Sequence, residues 1–197
     1  LSFGSMVAQS TLDRFTQLEE LDASYCKNLT NVDFCSATLR VLYANWCSNL
    51  TDTGLRNATR LVVLNVSHCS QVTDVSPFAH CLLELDVSHL CGIGSAALSD
   101  CRRLQVLNAY ENDKITQPFA ERLRELNAGG CSSALNDAAL ADATGLVSLS
   151  ACRNRDITTV APFSASLRRL DASYSGIGDA GQVTATNLVY LRASGKN

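Results

Sequence analysis

Two histidines in matching phrases are the residues best suited by type to do chemistry in this chain. His68 and His89 each close a Val-Ser-His triplet, and Asp86 precedes His89 by three positions. An imidazole pair beside a carboxylate is the raw material of general acid–base catalysis or of a metal site. Nine cysteines add further metal-ligating groups. Zinc sites take closely spaced thiol pairs, and no Cys-x-x-Cys occurs here. Cys26, Cys47, Cys69 and Cys131 each fall instead five residues after a leucine in a longer pattern. No glycine-rich phosphate loop, His-Glu-x-x-His or Gly-x-Ser-x-Gly is present, and no nucleophile stands in a recognisable elbow. The expectation is a protein that is not an enzyme and binds no metal, cofactor or small-molecule substrate. Its thiols would serve the fold, each satisfying backbone groups at a buried turn.

The elements that place these residues come from one phrase, Leu-x-x-Leu-x-(Ala/Val), which recurs nine times. It runs from Leu18–Leu21–Ala23 through Leu39–Leu42–Ala44, Leu61–Leu64–Val66 and Leu82–Leu85–Val87 to Leu188–Leu191–Ala193, at a period of about 21 residues. A strand alternates faces with period two, so the second Leu and the Ala or Val point inward while the residues between and beside them point out. A unit this short cannot bury its own apolar face, and stacking solves the problem. The phrase predicts nine parallel strands centred on Leu21, Leu42, Leu64, Leu85, Leu107, Leu126, Leu149, Leu170 and Leu191. Ala stands at seven of the nine positions two after the second Leu, which thins the core there. The missing volume must come from the convex side.

Beyond each strand a further apolar residue recurs: Leu29, Leu50, Val72, Ile93, Ile115, Leu135, Ile157 and Ile177. Thr follows in several repeats, a sign of a turn onto the convex face. Two kinds of convex segment alternate. One ends in Phe, as in Val32-Asp33-Phe34, Val75-Ser76-Pro77-Phe78, Gln117-Pro118-Phe119 and Val160-Ala161-Pro162-Phe163. The other places Gly or Ala before an aliphatic residue, as in Thr53-Gly54-Leu55, Ala96-Ala97-Leu98, Ala138-Ala139-Leu140 and Ala180-Gly181-Gln182-Val183. The larger unit is thus a pair of repeats, about 43 residues long.

Residues 1–197 read as a single solenoid. Leu1-Ser2-Phe3 matches the tail of a preceding repeat, and Asn197 falls inside one, so a slice of a longer chain is expected. A net charge of −3 and a pI near 5.6 argue against a nucleic-acid surface. No 18-residue apolar stretch exists, so no membrane partner is expected. An odd number of cysteines in a fold that needs no staples points to reduced thiols and a cytoplasmic site. Four sequons, at Asn28, Asn49, Asn57 and Asn65, point the other way.

Binding is expected on the outward residues. Four positions past each second Leu stand Tyr25, Trp46, His68, His89, Glu111, Gly130, Arg153 and Tyr174; one position past it stand Asp22, Tyr43, Asn65, Asp86 and their counterparts. Aromatic side chains give much contact area for little lost entropy. The candidate partner-binding residues are Asp22, Tyr25, Tyr43, Trp46, His68, Asp86, His89 and Tyr174, with Tyr25, Tyr43 and Trp46 as the expected hot spot.

The chain as a whole resembles the leucine-rich-repeat superfamily. The phrase Trp46-Cys47-Ser48-Asn49-Leu50-Thr51-Asp52 is similar to the cysteine-containing repeats of F-box ubiquitin-ligase adaptors. Val72-Thr73-Asp74-Val75-Ser76-Pro77-Phe78 is similar to the internalin-like class. The mixture, with its Ala-rich strands, most resembles leucine-rich-repeat proteins of trypanosomatid parasites. The resemblance implies a right-handed α/β horseshoe with a parallel concave sheet and short turns or helices outside. It implies a protein-interaction scaffold without a cofactor. The alternatives are a substrate-recognition subunit of a ubiquitin ligase and a surface or secreted recognition module.

Overall fold

The computed structural model describes residues 7–117, 122–182 and 184–195. Nine three-residue strands form one parallel sheet in sequence order: β1 Glu20–Asp22, β2 Val41–Tyr43, β3 Val63–Asn65, β4 Glu84–Asp86, β5 Val106–Asn108, β6 Glu125–Asn127, β7 Ser148–Ser150, β8 Arg169–Asp171 and β9 Tyr190–Arg192. The second Leu of each phrase is the middle residue of its strand. Leu21, Leu42, Leu64 and the rest pair directly with one another across the whole sheet. Each is buried except Leu191, which lies in the last rung.

The ladder continues past each strand. The N–H two residues after the central Leu donates to the next rung, as in Ala23 to the Tyr43 carbonyl at 2.8 Å. So does the N–H four residues after it: Tyr25 to Asn45 O at 2.8 Å, Trp46 to Ser67 O at 2.9 Å and His89 to Tyr110 O at 2.7 Å. Tyr25, Trp46, His68, His89, Glu111, Arg153 and Tyr174 hold φ between 56° and 64° there, and Gly130 holds 101°. Left-handed backbone is disfavoured for side-chain-bearing residues, most of all β-branched ones. None of these eight is β-branched. The inter-rung hydrogen bond at each position holds the conformation against that cost.

At the following residue the chain turns inward. The Cys47 and Cys69 thiols donate to the carbonyls of Ala23 and Ala44, at 3.0 and 3.1 Å. Where Asn replaces Cys it does more. Asn112 donates to Val87 O and Ile93 O, and its side-chain oxygen accepts the Lys114 N–H. Asn154 repeats the set with Ala128, Leu135 and Asp156. Cys26, Cys47 and Cys69 are buried, as expected. Cys131 is not: it is exposed, and Ser133 takes the buried polar place, its hydroxyl facing the Leu135 N–H. The turn after β6 reaches its next apolar residue, Leu135, one residue later than the turns of β1 to β5. That extra residue pushes the thiol out.

Short helical turns cover the convex side. The Ala/Gly segments form α2 Asp52–Leu55, α3 Asp137–Leu140, α4 Asp179–Gln182 and a 3-10 turn at Ser95–Leu98; α1, Gln9–Leu12, precedes β1. The Phe segments form 3-10 turns at Asp33–Cys35, Ser76–Phe78 and Ala161–Phe163. Phe78 and Phe163 head the fully buried side chains by size, supplying the volume that the Ala positions lack. In the first such turn Cys35, not Phe34, fills that slot; Phe34 is only half-buried. The phrase there lacks the proline, so its Phe sits one residue early. Leu1–Phe3, Pro118–Phe119, Val183 and Asn197 lie outside the described residues.

The alternation of the two segments has a hydrogen-bonding basis. Near the start of each convex turn, the Asn31 and Asp74 side chains accept N–H groups of their own turn, those of Asp33 and Ser76. In alternate rungs the side chain crosses to the next rung instead. Asp52 accepts the N–H groups of Thr73 and Asp74, Ser95 those of Thr116 and Gln117, and Asp137 those of Thr158 and Thr159. Gln9 accepts the Thr30 N–H in the same way. Gly54 is required where its turn packs on the preceding rung, since a Cβ on it would run into the Thr30 carbonyl oxygen.

Candidate functional site

The left-handed residues of the first rungs bring their rings into one stack. Tyr25 lies over Trp46 at 6.3 Å between ring centroids, Trp46 over His68 at 3.7 Å, and His68 over His89 at 4.4 Å, all within 18° of parallel. The rung spacing of about 4.8 Å sets this contact distance. The identical backbone conformation aims each ring the same way. Tyr110 closes the row edge-on against His89, at 5.3 Å and 66°. It comes from the position before the left-handed one, which Glu111 occupies in its rung. The column read from the sequence therefore misses Tyr110, although two aromatic-compatible positions next to each other are visible in Tyr110-Glu111.

The four expected ladder residues thus come together, with Trp46 and Tyr25 about half exposed. The rings face each other, so the stack offers a partner mainly ring edges and the outer face of Tyr25. Tyr43 is exposed on the sheet itself, and its neighbours across the ladder are Asp22 and Asn65. Tyr174 lies far along the solenoid, where it lines an open depression with Cys131, Arg153 and Arg155. Glu111, Gly130 and Arg153 interrupt the aromatic row between them.

The chemistry suggested by His68, His89 and Asp86 is not assembled. Asp86 accepts the Ser88 N–H at 3.0 Å and the side-chain amides of Asn108 and Asn65 at 2.9 and 3.3 Å. Its oxygens serve the sheet, not an imidazole. The Nδ1 of His68 is buried without a hydrogen-bond partner among the described residues. Burial, then the neighbouring His89, lowers the His68 pKa from 6.5; Asp86 opposes the shift. His68 is thus a stacked ring whose protonated form its surroundings disfavour. No cluster of three or more His, Cys, Asp or Glu suited to a metal ion occurs among the described residues.

Most of the outward column beside the stack is similarly occupied with local structure. Asp22, Asn65, Asp86, Asn108, Asn127 and Asp171 each accept the N–H two residues ahead, at 2.9–3.2 Å. These Asx turns steer the chain out of each strand. The four sequon asparagines are also engaged across rungs: Asn28 donates to Val7 O, Asn49 to Lys27 O, Asn57 to Asp33 and Asn65 to Asp86. Burial pushes the Cys35, Cys69 and Cys101 thiols up to about 11, and those of Cys47 and Cys91 to about 12. These are packing groups rather than nucleophiles.

A single parallel sheet with one strand per rung, buried leucines in register and short turns outside defines a leucine-rich-repeat solenoid. Solved structures that superpose on it include internalins of Listeria monocytogenes. An internalin (InlF) superposes with a TM-score of 0.65 at 23% identity, over 95% of this chain and 63% of the other. Internalin C2 gives 0.57 at 18%, over 98% and 80%. The functional domain of InlJ, which includes a cysteine ladder, gives 0.58 at 21%, over 93% and 45%. This chain therefore spans less than two thirds of InlF and of the InlJ domain. No family model and no curated protein matches the sequence. The likeness is one of fold, and it lends no support to kinship with the trypanosomatid proteins.

Proposed function

We propose that this solenoid is a protein-interaction scaffold that holds its partner on the concave face around Tyr25, Tyr43 and Trp46. One observation carries the reading: three large aromatic side chains, Tyr25, Tyr43 and Trp46, stand 37–58% exposed together on two adjacent rungs. Rigid, half-exposed aromatics on a fixed backbone lose little entropy on binding and dominate hot spots. Asp22, His68, Asp86 and His89 frame the contact, and Tyr174 would reach only a partner long enough to cover the sheet. The internalin-like fold fits a recognition role. The same reading keeps the chain inside the cell, on its odd number of cysteines in a fold that needs no disulfide staples. No helix among the described residues is long and apolar enough to cross a membrane.

The test is quantitative affinity capture with the full-length protein, comparing Trp46→Ala with the convex change Arg56→Ala. Proteins lost with Trp46→Ala and kept with Arg56→Ala support the concave face. Retention with the first and loss with the second would overturn it.

A further inference from the structure

Four carboxylates frame one patch of the concave sheet. The ladder register sets Glu20, Val41, Val63 and Glu84 in a straight row across β1–β4, and Asp22, Tyr43, Asn65 and Asp86 in a second row beside it. Each row begins and ends on an acid. The rows are two residues apart along the strands, about 7 Å, and the acids of each row are three strands apart, about 14 Å. Between them lie the half-buried Val41 and Val63 and the exposed Tyr43. None of the eight positions carries a cation. Glu20 and Glu84 are exposed, and their side chains make no hydrogen bond or ion pair among the described residues. Asp86 accepts bonds from Ser88, Asn65 and Asn108. The far end of the sheet is mixed in sign, with Arg169 and Arg192 among its outward residues and Asp171 paired with Arg192 at 3.7 Å.

We propose that this frame receives an extended basic segment of a protein partner, running across the strands, with the pattern cation–x–apolar–x–cation. The dimensions require that spacing. In an extended chain, residues i, i+2 and i+4 share a face, and i to i+4 spans about 13 Å. Cations at i and i+4 therefore meet Glu20 and Glu84 together, and the apolar residue at i+2 settles on Val41 and Val63. Asp22 and Asp86 deepen the negative potential along the second row, and Tyr43 flanks the segment. An acidic segment or a nucleic acid meets like charge at all four corners. The inference rests on the concave-face reading and adds the chemistry of the partner to it.

The experiment is a titration of the isotope-labelled chain with short capped peptides, followed by amide chemical shifts. The peptide Lys-Ser-Val-Ser-Lys should shift the amides of β1–β4, with an affinity that falls as salt rises. Its Glu-for-Lys counterpart should not bind, and a version with the lysines three apart should bind more weakly. The double change Glu20→Gln, Glu84→Gln should weaken binding roughly threefold to tenfold, while Arg169→Gln leaves it unchanged. Equal binding of the acidic peptide, indifference to the Gln pair, or shifts spread over the whole sheet would overturn the proposal. Partner capture lost with Trp46→Ala but kept with the Gln pair leaves the concave face standing and removes the basic segment. Capture kept with both removes both.

Discussion

Removing the Asn154 side chain tests whether the inward turn residue is the polar joint of the stack. Asn154 is 2% exposed, and its amide donates to Ala128 O at 2.8 Å and Leu135 O at 2.9 Å while its oxygen accepts the Asp156 N–H at 2.9 Å. In Asn154→Ala two buried carbonyls and one half-buried N–H lose their partners. Unsatisfied buried groups cost about 1–3 kcal/mol each, and the Asp156 N–H regains part of its loss from water. The expected destabilisation is about 3–5 kcal/mol, large because it falls at an interface between two interior rungs. Asn154→Cys is the discriminating control. The Cys47 and Cys69 thiols reach the carbonyl that corresponds to Ala128, so one bond returns and roughly 1 kcal/mol is recovered. Equilibrium urea unfolding followed by circular dichroism reads both changes, and hydrogen exchange at Leu149 and Leu126 locates them. A loss below about 1 kcal/mol for Asn154→Ala, or no difference between Ala and Cys, would refute the reasoning.

Leu64, 1% exposed at the centre of β3, should cost about 2–5 kcal/mol on truncation to Ala, read as a lowered urea midpoint. The His68 pKa lies below its unfolded value of 6.5. Above that pH both states are neutral and nothing is lost; as pH falls below it the unfolded chain takes up the proton first, so stability declines until the folded pKa is passed. Thermal melts should show an acid-side decline that shrinks in His68→Phe, and the imidazole resonance of His68 should titrate below pH 6.5. Thiol counting in denaturant should return all nine cysteines. In the folded protein, alkylation and peptide mapping should find the exposed Cys131 first and Cys47 and Cys91 last.

The strands were legible because two periods coincide in them. Leu21 and Ala23 carry the period of two, and the step to Leu42 and Leu64 carries the rung, so register follows from spacing alone. Cys131 shows where that logic stops: one extra residue before Leu135 moves a side chain from core to solvent, and no local composition announces it. The left-handed column was visible as an outward column but not as a conformation. Only Gly130 carries the usual residue for it, and the inter-rung hydrogen bonds that hold Tyr25 or Trp46 there are tertiary. The stack of Trp46 on His68 follows from that hidden geometry, and so does the failure of Asp86 to face a histidine. An Asp one residue past the central Leu of a strand looks like a ligand in sequence, and in the structure it caps its own turn.

The convex acceptors Asp52, Ser95 and Asp137 give the solenoid a grammar of length. Each faces a rung whose own turn is built differently, so neighbouring rungs are unlike and only next-nearest ones are interchangeable. Excising one rung would set two crossing acceptors side by side, or none, and leave the Thr N–H groups of a joint without their oxygen. Excising two, about 43 residues, would restore every joint. A lineage of such chains can grow or shrink by pairs, and its binding face changes length in steps of about 10 Å.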